Sequence, residues 1–211
     1  MKGIAAALPF IILLSTTAAS TAWAAEQRNL SIDNATRTRI VTAAVAANSD
    51  WQTADVEVSP DGVLDLNRNG CIFMVAVNPH VWDGILSRYV LLPDGRIAGV
   101  DITGNAAAAT VLRLCGQDAD ANWWAHIIVR LSEAAGAVPV INGVPDAFAK
   151  LVKAGLDVKP PTLTRSEGAT TVEFFAGGMF LPVGYIIPLH IRATLPVHGD
   201  LTVIVNKLGG W

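Results

Sequence analysis

The sequence predicts an α+β protein in which a mainly antiparallel β-sheet packs against three to four helices. Strand-like segments occur in two runs, one over residues 53–102 and one over residues 170–207. Helical segments precede the first run and lie between the two. Strands grouped in this way, joined by short turns, are typical of antiparallel pairing, whereas strands that alternate singly with helices are typical of parallel sheets.

The first 24 residues have the pattern of a secretory signal peptide. Lys2 is the only charge before Glu26, an apolar run covers residues 4–14, and Ala22-Trp23-Ala24 fits a cleavage site. The apolar run is much shorter than the roughly 20 residues that span a bilayer, which favours cleavage over a membrane anchor. We therefore expect a signal peptide over residues 1–24 and a secreted or periplasmic protein. Residues 25–211 would form a single α+β domain, in which any subdivision would fall near residues 159–162.

Composition indicates a folded, apolar chain with no affinity for nucleic acid. Hydrophobic residues make up 52% of the chain and charged residues 16%, against about 25% charged residues in an average protein. The formal net charge is −3, and the arginines are scattered without forming a basic cluster. Nucleic-acid binding is therefore not expected, because neutralising phosphates requires a basic face.

Helices are predicted from apolar spacing and from the residues that begin or end them. The segment Asn34–Asn48 has apolar residues at helical spacing, and Asn105–Cys115 is followed by a glycine that would end a helix. A third helix begins after Asp118 or Asp120, either of which can cap it. The segment Pro145–Ala154 predicts a short fourth helix.

The third helix is predicted to be amphipathic. Its apolar stripe contains Trp124 and Ile127, whereas His126 and Arg130 fall on the other side. We therefore expect the stripe to face the core and the two polar side chains to face away from it.

The first run of strands predicts an antiparallel meander. Residues 54–58 alternate apolar and acidic side chains, Cys71–Val77 reads as a buried strand, and two Pro-Asp-Gly turns occur at residues 60–62 and 93–95. The turns lie between strand-like segments, so neighbouring strands would pair with one another.

The C-terminal run predicts four strands, over residues 170–175, 179–187, 188–195 and 201–207. Breaks are expected at Gly177-Gly178, near Pro188 and at residues 196–199. The segment Phe174–Leu189 has no charge, and its prolines and glycines disfavour a membrane helix. We interpret it as a β-hairpin buried against the helices. Interfacial membrane contact and an exposed edge that binds a partner are the alternatives.

Two cysteines, Cys71 and Cys115, predict one disulfide, because an isolated pair in an oxidising compartment usually pairs. The alternative is two buried free thiols. A catalytic cysteine is not expected, since nothing near either residue would activate its thiol.

The best local motif is a turn that resembles the first part of a calcium loop. Asp65, Asn67 and Asn69 place side-chain oxygens at alternate positions, and Gly70 follows. The match then fails, because the position of the bidentate glutamate is occupied by Ala76. The alternative, which we favour, is a plain hairpin turn.

A second set of polar residues would serve an envelope hydrolase. Asp118 and Asp120 lie near the start of a helix that carries His126, and His190 and His198 flank a later turn. Carboxylates and histidines can perform acid–base chemistry or bind a metal. The simpler interpretation is that the aspartates cap the helix and the histidines lie at or near the surface.

The sequence contains no nucleophile elbow, phosphate-binding loop, zinc-protease motif or C-x-x-C pair. We therefore expect a non-enzymatic protein that binds a small ligand or a protein partner, with Trp51, Trp82 and Trp211 as exposed aromatic candidates. No cofactor is implied apart from the calcium alternative. The other functional hypotheses are the envelope hydrolase and a membrane-associated envelope component.

Overall fold

A computed structural model of the chain describes residues 32–61, 67–80, 86–132, 134, 137–143, 145–180 and 185–208. The predicted signal peptide, Trp82 and Trp211 lie outside these residues. Residues Asn34–Trp211 group into one compact unit. The predicted limits of the domain, residues 25–211, stay a prediction.

Four helices and two short 3-10 turns carry the helical part of the fold. The helices are α1 Asn34–Ala47, α2 Gly104–Cys115, α3 Ala121–Leu131 and α4 Ala149–Lys153, and the 3-10 turns are Thr53–Asp55 and Asp146–Phe148. As the sequence predicts, Asp120 caps α3, accepting a hydrogen bond from the backbone N–H of Trp123 at 2.8 Å. Gly116 follows α2 and donates its N–H to the carbonyl of Leu112 at 3.0 Å.

The first sheet is the predicted antiparallel meander. Its strands are β1 Glu57–Pro60, β2 Ile72–Val77, β3 Leu86–Leu91 and β4 Ile97–Ala98, in the spatial order β1-β2-β3-β4. The strand expected from residue 54 begins only at Glu57, because residues 53–55 form a 3-10 turn.

The second sheet has five strands, β5 Ala137–Pro139, β6 Thr162–Arg165, β7 Ala169–Phe180, β8 Tyr185–Pro196 and β9 Thr202–Lys207. Its order is β5-β7-β8-β9, and β6 also pairs with β7. All its pairings are antiparallel. The sequence did not predict β5 or β6, because segments of three and four residues are too short for a recognisable alternation.

The breaks predicted at Gly177-Gly178 and near Pro188 are wrong, since β7 and β8 run through them. A Cβ on Gly177 would lie 2.8 Å from Ile186, so the glycine makes room for a side chain of the neighbouring strand. Pro188 pairs with Gly177, and its carbonyl accepts a hydrogen bond from Leu208, directly after β9. The missing N–H of Pro188 therefore faces the end of β9 and costs the β7–β8 ladder no bond.

One contiguous core joins both sheets to α2 and α3. It includes Phe73 and Val90 from the first sheet, Phe174 and Ile191 from the second, and Ile127 from α3. The fold is therefore α+β with mainly antiparallel sheets, as predicted. In the described residues, no helix is long and apolar enough to cross a membrane.

The disulfide between Cys71 and Cys115 is present, with 6.2 Å between the Cα atoms. It links the residue before β2 to the last residue of α2 and so joins the first sheet to the helical layer. The prediction that Trp51 is exposed is wrong, because this residue is only 4% exposed and belongs to the buried core.

Candidate functional site

A small pocket lies between α3, β3 and β5. It has a volume of about 190 Å³, and its polar lining consists of Arg88, His126 and Arg130. The rest of its wall is apolar and comes from α3 and β5. We call it the arginine–histidine pocket.

Helical spacing brings His126 and Arg130 together. Four residues apart on α3, they lie on one face of the helix, opposite the apolar stripe that faces the core. Nη1 of Arg130 lies 3.0 Å from Nδ1 of His126. Because a guanidinium has no acceptor, Nδ1 accepts this bond, and neutral His126 carries its ring proton on Nε2.

Asp61, directly after β1, is the acidic group of the site. Its side chain is 3% exposed, and its backbone N–H donates to the carbonyl of Phe73 on β2. Nε of Arg130 lies 3.3 Å from Oδ2 of Asp61, and the Arg130 side chain is only 7% exposed. The β1–β2 pairing therefore places a buried carboxylate against a buried guanidinium of α3.

Arg88 on β3 is the second cation near Asp61. Its Nε lies 3.8 Å from Oδ2 of Asp61, which is too long for a hydrogen bond. The atom is buried and has no hydrogen-bond partner in the described part of the chain. Burial lowers the pKa of Arg88, as does the charge of Arg130, whereas Asp61 raises it.

His126 is neutral at physiological pH. Burial is the main cause that lowers its pKa to about 4, and the positive charge of Arg130 adds to the effect. Asp61 and Asp120 act in the opposite direction but do not compensate.

The pocket is therefore lined by two guanidiniums and a neutral imidazole, and the carboxylate of Asp61 lies 3.3 Å from one guanidinium and 3.8 Å from the other. The Nε atom of Arg88 is closed to solvent, so a ligand does not reach it directly, but the Arg88 side chain is 30% exposed and lines the pocket. An anion at this side chain would add negative charge next to the two cations. The arrangement can hold an anion.

The residues predicted for a hydrolase have other partners or are exposed. Asp118 and Asp120 are exposed, and Asp120 caps α3. Nε2 of His190, on β8, lies 2.8 Å from Oε1 of Glu173 on β7. His198 is exposed in the turn after β8. Of the five residues, only His126 lines the arginine–histidine pocket.

The turn predicted as a calcium loop uses its asparagines in the fold. Asp65 lies outside the described residues. Oδ1 of Asn67 accepts a hydrogen bond from the N–H of Phe73 at 2.8 Å, and Nδ2 of Asn69 donates to the carbonyl of Cys115 at 3.1 Å. Across the described ranges, no group of three or more His, Cys, Asp or Glu side chains is placed to hold a metal ion.

A larger cavity of about 340 Å³ lies where α2 and α3 meet the second sheet. Arg113 and Arg165 lie in its wall. Arg113 donates to two carbonyls at and just after the end of β8, and Arg165 donates to two carbonyls of the α2–α3 loop. Main-chain carbonyls therefore accept hydrogen bonds from both guanidiniums of the larger cavity. The arginine–histidine pocket is the better candidate for a ligand site, because its cations are less completely paired in the described part of the chain.

Sequence reasoning missed Asp61 and Arg88. Asp61 was interpreted as part of a turn, and Arg88 lies in a strand whose neighbours do not distinguish it. The available signal for the site was the polar face of α3. His126 and Arg130 were predicted to lie on that face, but the pair was not interpreted as part of a site.

Comparison with protein-family models, curated proteins and solved structures finds no match to this chain. The residues of the site therefore carry the functional argument.

Proposed function

We propose that this is an exported, non-enzymatic protein, secreted or periplasmic, that binds a small anionic ligand in the arginine–histidine pocket. The observation that carries the proposal is that two guanidiniums line one pocket, that of Arg130, which is 7% exposed, and that of Arg88, which is 30% exposed. Cations withdrawn from water are normally paired, and here the carboxylate of Asp61 lies 3.3 Å from the first and 3.8 Å from the second.

Export is supported by two independent features. The signal-peptide pattern of residues 1–24 would direct the chain to the export machinery. The disulfide between Cys71 and Cys115 is typical of proteins that fold in an oxidising compartment.

Binding is favoured over hydrolysis by the state of the histidine in the pocket. Nδ1 of His126 already accepts a bond from Arg130, and its depressed pKa keeps the ring from acting as an acid near neutral pH. The envelope hydrolase and the membrane-associated component stay predictions without a supporting contact in the pocket.

The test is isothermal titration of the disulfide-bonded protein with acetate, sulfate and phosphate at pH 7.5 and low ionic strength. We expect at least one of them to bind saturably. Arg88→Gln should weaken that binding at least tenfold, because a hydrogen bond to a charged group contributes about 1.5–3 kcal/mol. Arg88→Lys, which keeps the charge without the planar fork, should also weaken it.

Arg96→Gln is the matched control. Arg96 forms an exposed ion pair with Asp94, so its removal changes the net charge equally without touching the pocket. Binding to this variant should stay within twofold of the wild-type protein. The proposal is wrong if no anion binds saturably, or if the Arg96 and Arg88 variants lose affinity equally.

A further inference from the structure

The charge of the arginine–histidine pocket selects the charge of its ligand. Arg88 and Arg130 provide two positive charges, Asp61 provides one negative charge, and His126 is neutral. Counted over the residues that the structure describes, these groups have an excess of one positive charge. Asp120, the other charged group that acts on His126, is exposed at the start of α3, where solvent screens it.

A monoanion balances this excess, whereas a dianion does not. With sulfate bound, the pocket would hold one uncompensated negative charge. Burying an unpaired charge is strongly unfavourable. Protonation of His126 could remove that charge, but it would place an imidazolium beside Arg130, 3.0 Å away. The geometry therefore disfavours the dianion in either protonation state.

The remaining wall of the pocket is apolar. It is formed by Val129 of α3 and by Ala137, Val138 and Pro139 of β5. An inorganic oxyanion would place its oxygens against these carbon surfaces, where they gain no hydrogen bond from a side chain. A ligand with a hydrocarbon part would instead bury that part against them, and each buried methylene contributes about 0.8 kcal/mol.

We infer that the ligand is a small apolar monocarboxylate, with its carboxylate at the guanidinium of Arg88 and its hydrocarbon part against Val129 and β5. The inference rests on the proposed function, because it assigns a chemical class to the anion of that site. A carboxylate also suits the planar fork of a guanidinium, which it can engage with both oxygens. The volume of about 190 Å³ restricts the ligand to a few carbon atoms.

The test compares probes that separate charge from apolar surface. The disulfide-bonded protein is titrated at pH 7.5 with isobutyrate, acetate, the neutral amide isobutyramide, and sulfate. We expect isobutyrate to bind about tenfold more tightly than acetate, since two additional buried carbon atoms correspond to roughly that factor. Sulfate should bind at least tenfold more weakly than isobutyrate, and isobutyramide should not bind detectably.

A variant of the apolar wall provides the second readout. Val138 is 65% exposed, so Val138→Thr keeps a β-branched side chain in β5 without opening the core. It should reduce the preference for isobutyrate over acetate by severalfold, because a hydroxyl replaces a methyl group that the hydrocarbon part of the ligand would contact. Val197→Thr, which changes another exposed valine outside this pocket, should leave the preference unchanged.

The outcomes separate this inference from the proposed function. If sulfate or phosphate binds as tightly as isobutyrate in an Arg88-dependent manner, the monocarboxylate inference is wrong and the anion-binding function stands. Equal binding of isobutyrate and isobutyramide also overturns it. If no anion binds, both proposals fall.

Discussion

Nε of Arg130 lies 3.3 Å from Oδ2 of Asp61, a contact between residues 69 positions apart in the chain. It connects α3 to the residue directly after β1. The backbone N–H of Asp61 donates to the carbonyl of Phe73 in β2, so the chain at Asp61 is held by the first sheet. Oδ2 of the same carboxylate lies 3.8 Å from Nε of Arg88. One carboxylate therefore lies beside both guanidiniums that line the pocket.

Asp61→Asn should destabilise the protein by about 3 kcal/mol, because it leaves two guanidiniums without a buried counter-charge. Urea unfolding monitored by tryptophan fluorescence measures the change. Asp157→Asn is the control, since the ion pair of Asp157 with Lys159 is largely exposed, and it should change the free energy of unfolding by less than about 0.5 kcal/mol. Equal effects of the two substitutions would contradict the buried role of Asp61.

The stability of the protein should fall as the pH is lowered from about 6.5 to about 4, in part through His126. In the folded protein its pKa is about 4, whereas an unfolded histidine titrates near 6.5. Between these values the unfolded state binds more protons than the folded state, so the free energy of unfolding rises with pH in this window. Above the window the contribution of His126 to stability is fully present.

Nuclear magnetic resonance of the imidazole protons of His126 tests the shift directly. His126→Gln should flatten the pH dependence of stability between pH 4 and 6.5. An imidazole of His126 that titrates near 6.5 in the folded protein would contradict the burial of this ring.

Replacing both cysteines by alanine should lower the free energy of unfolding by about 3 kcal/mol. The disulfide closes a loop over a sequence separation of 44, for which the chain-entropy estimate is roughly 4 kcal/mol and measured effects are usually smaller. A thiol assay on the denatured, unreduced protein should find no free thiol. Two free thiols in that assay would be the opposite result.

Gly116→Ala should destabilise the protein by about 2 kcal/mol, which urea unfolding measures. A Cβ at this position would lie 2.6 Å from the carbonyl oxygen of Leu112 and 2.8 Å from the ring of Trp123, so the substitution forces the α2–α3 corner apart. Gly168→Ala is the matched control, because a Cβ there meets no atom within 4 Å. It should stay within about 0.5 kcal/mol of the wild-type protein.

Titration with calcium at millimolar concentration should produce no binding heat. Oδ1 of Asn67 is already an acceptor for the N–H of Phe73, so a calcium ion would have to share or break a bond that shapes the turn. Asn67→Ala should cost about 1 kcal/mol with or without calcium. A saturable calcium isotherm that Asn67→Ala abolishes would establish the calcium loop instead of the hairpin turn.

Local patterns were sufficient for most of the fold. The period of apolar residues in α3 predicted which face meets the core. Asp118 or Asp120 was predicted as the cap, and Asp120 forms it, because capping depends on a backbone N–H only three residues away. They failed at Gly177 and Pro188, where the neighbouring strand decides the outcome. A glycine opposite a large side chain supports pairing there, although the same glycine alone indicates a break.

What the sequence determined by itself is the fold class and the two faces of α3, because each depends on spacing along the chain. The tertiary structure decided that Cys71 reaches Cys115, with 6.2 Å between the Cα atoms, where the sequence had left two free thiols as the alternative. Only the tertiary structure decided that Asp61 lies beside Arg88 and Arg130, which line one pocket. The three charges lie on different elements, and no periodicity relates them. Their proximity follows from how β1, β3 and α3 pack, and packing depends on the whole core.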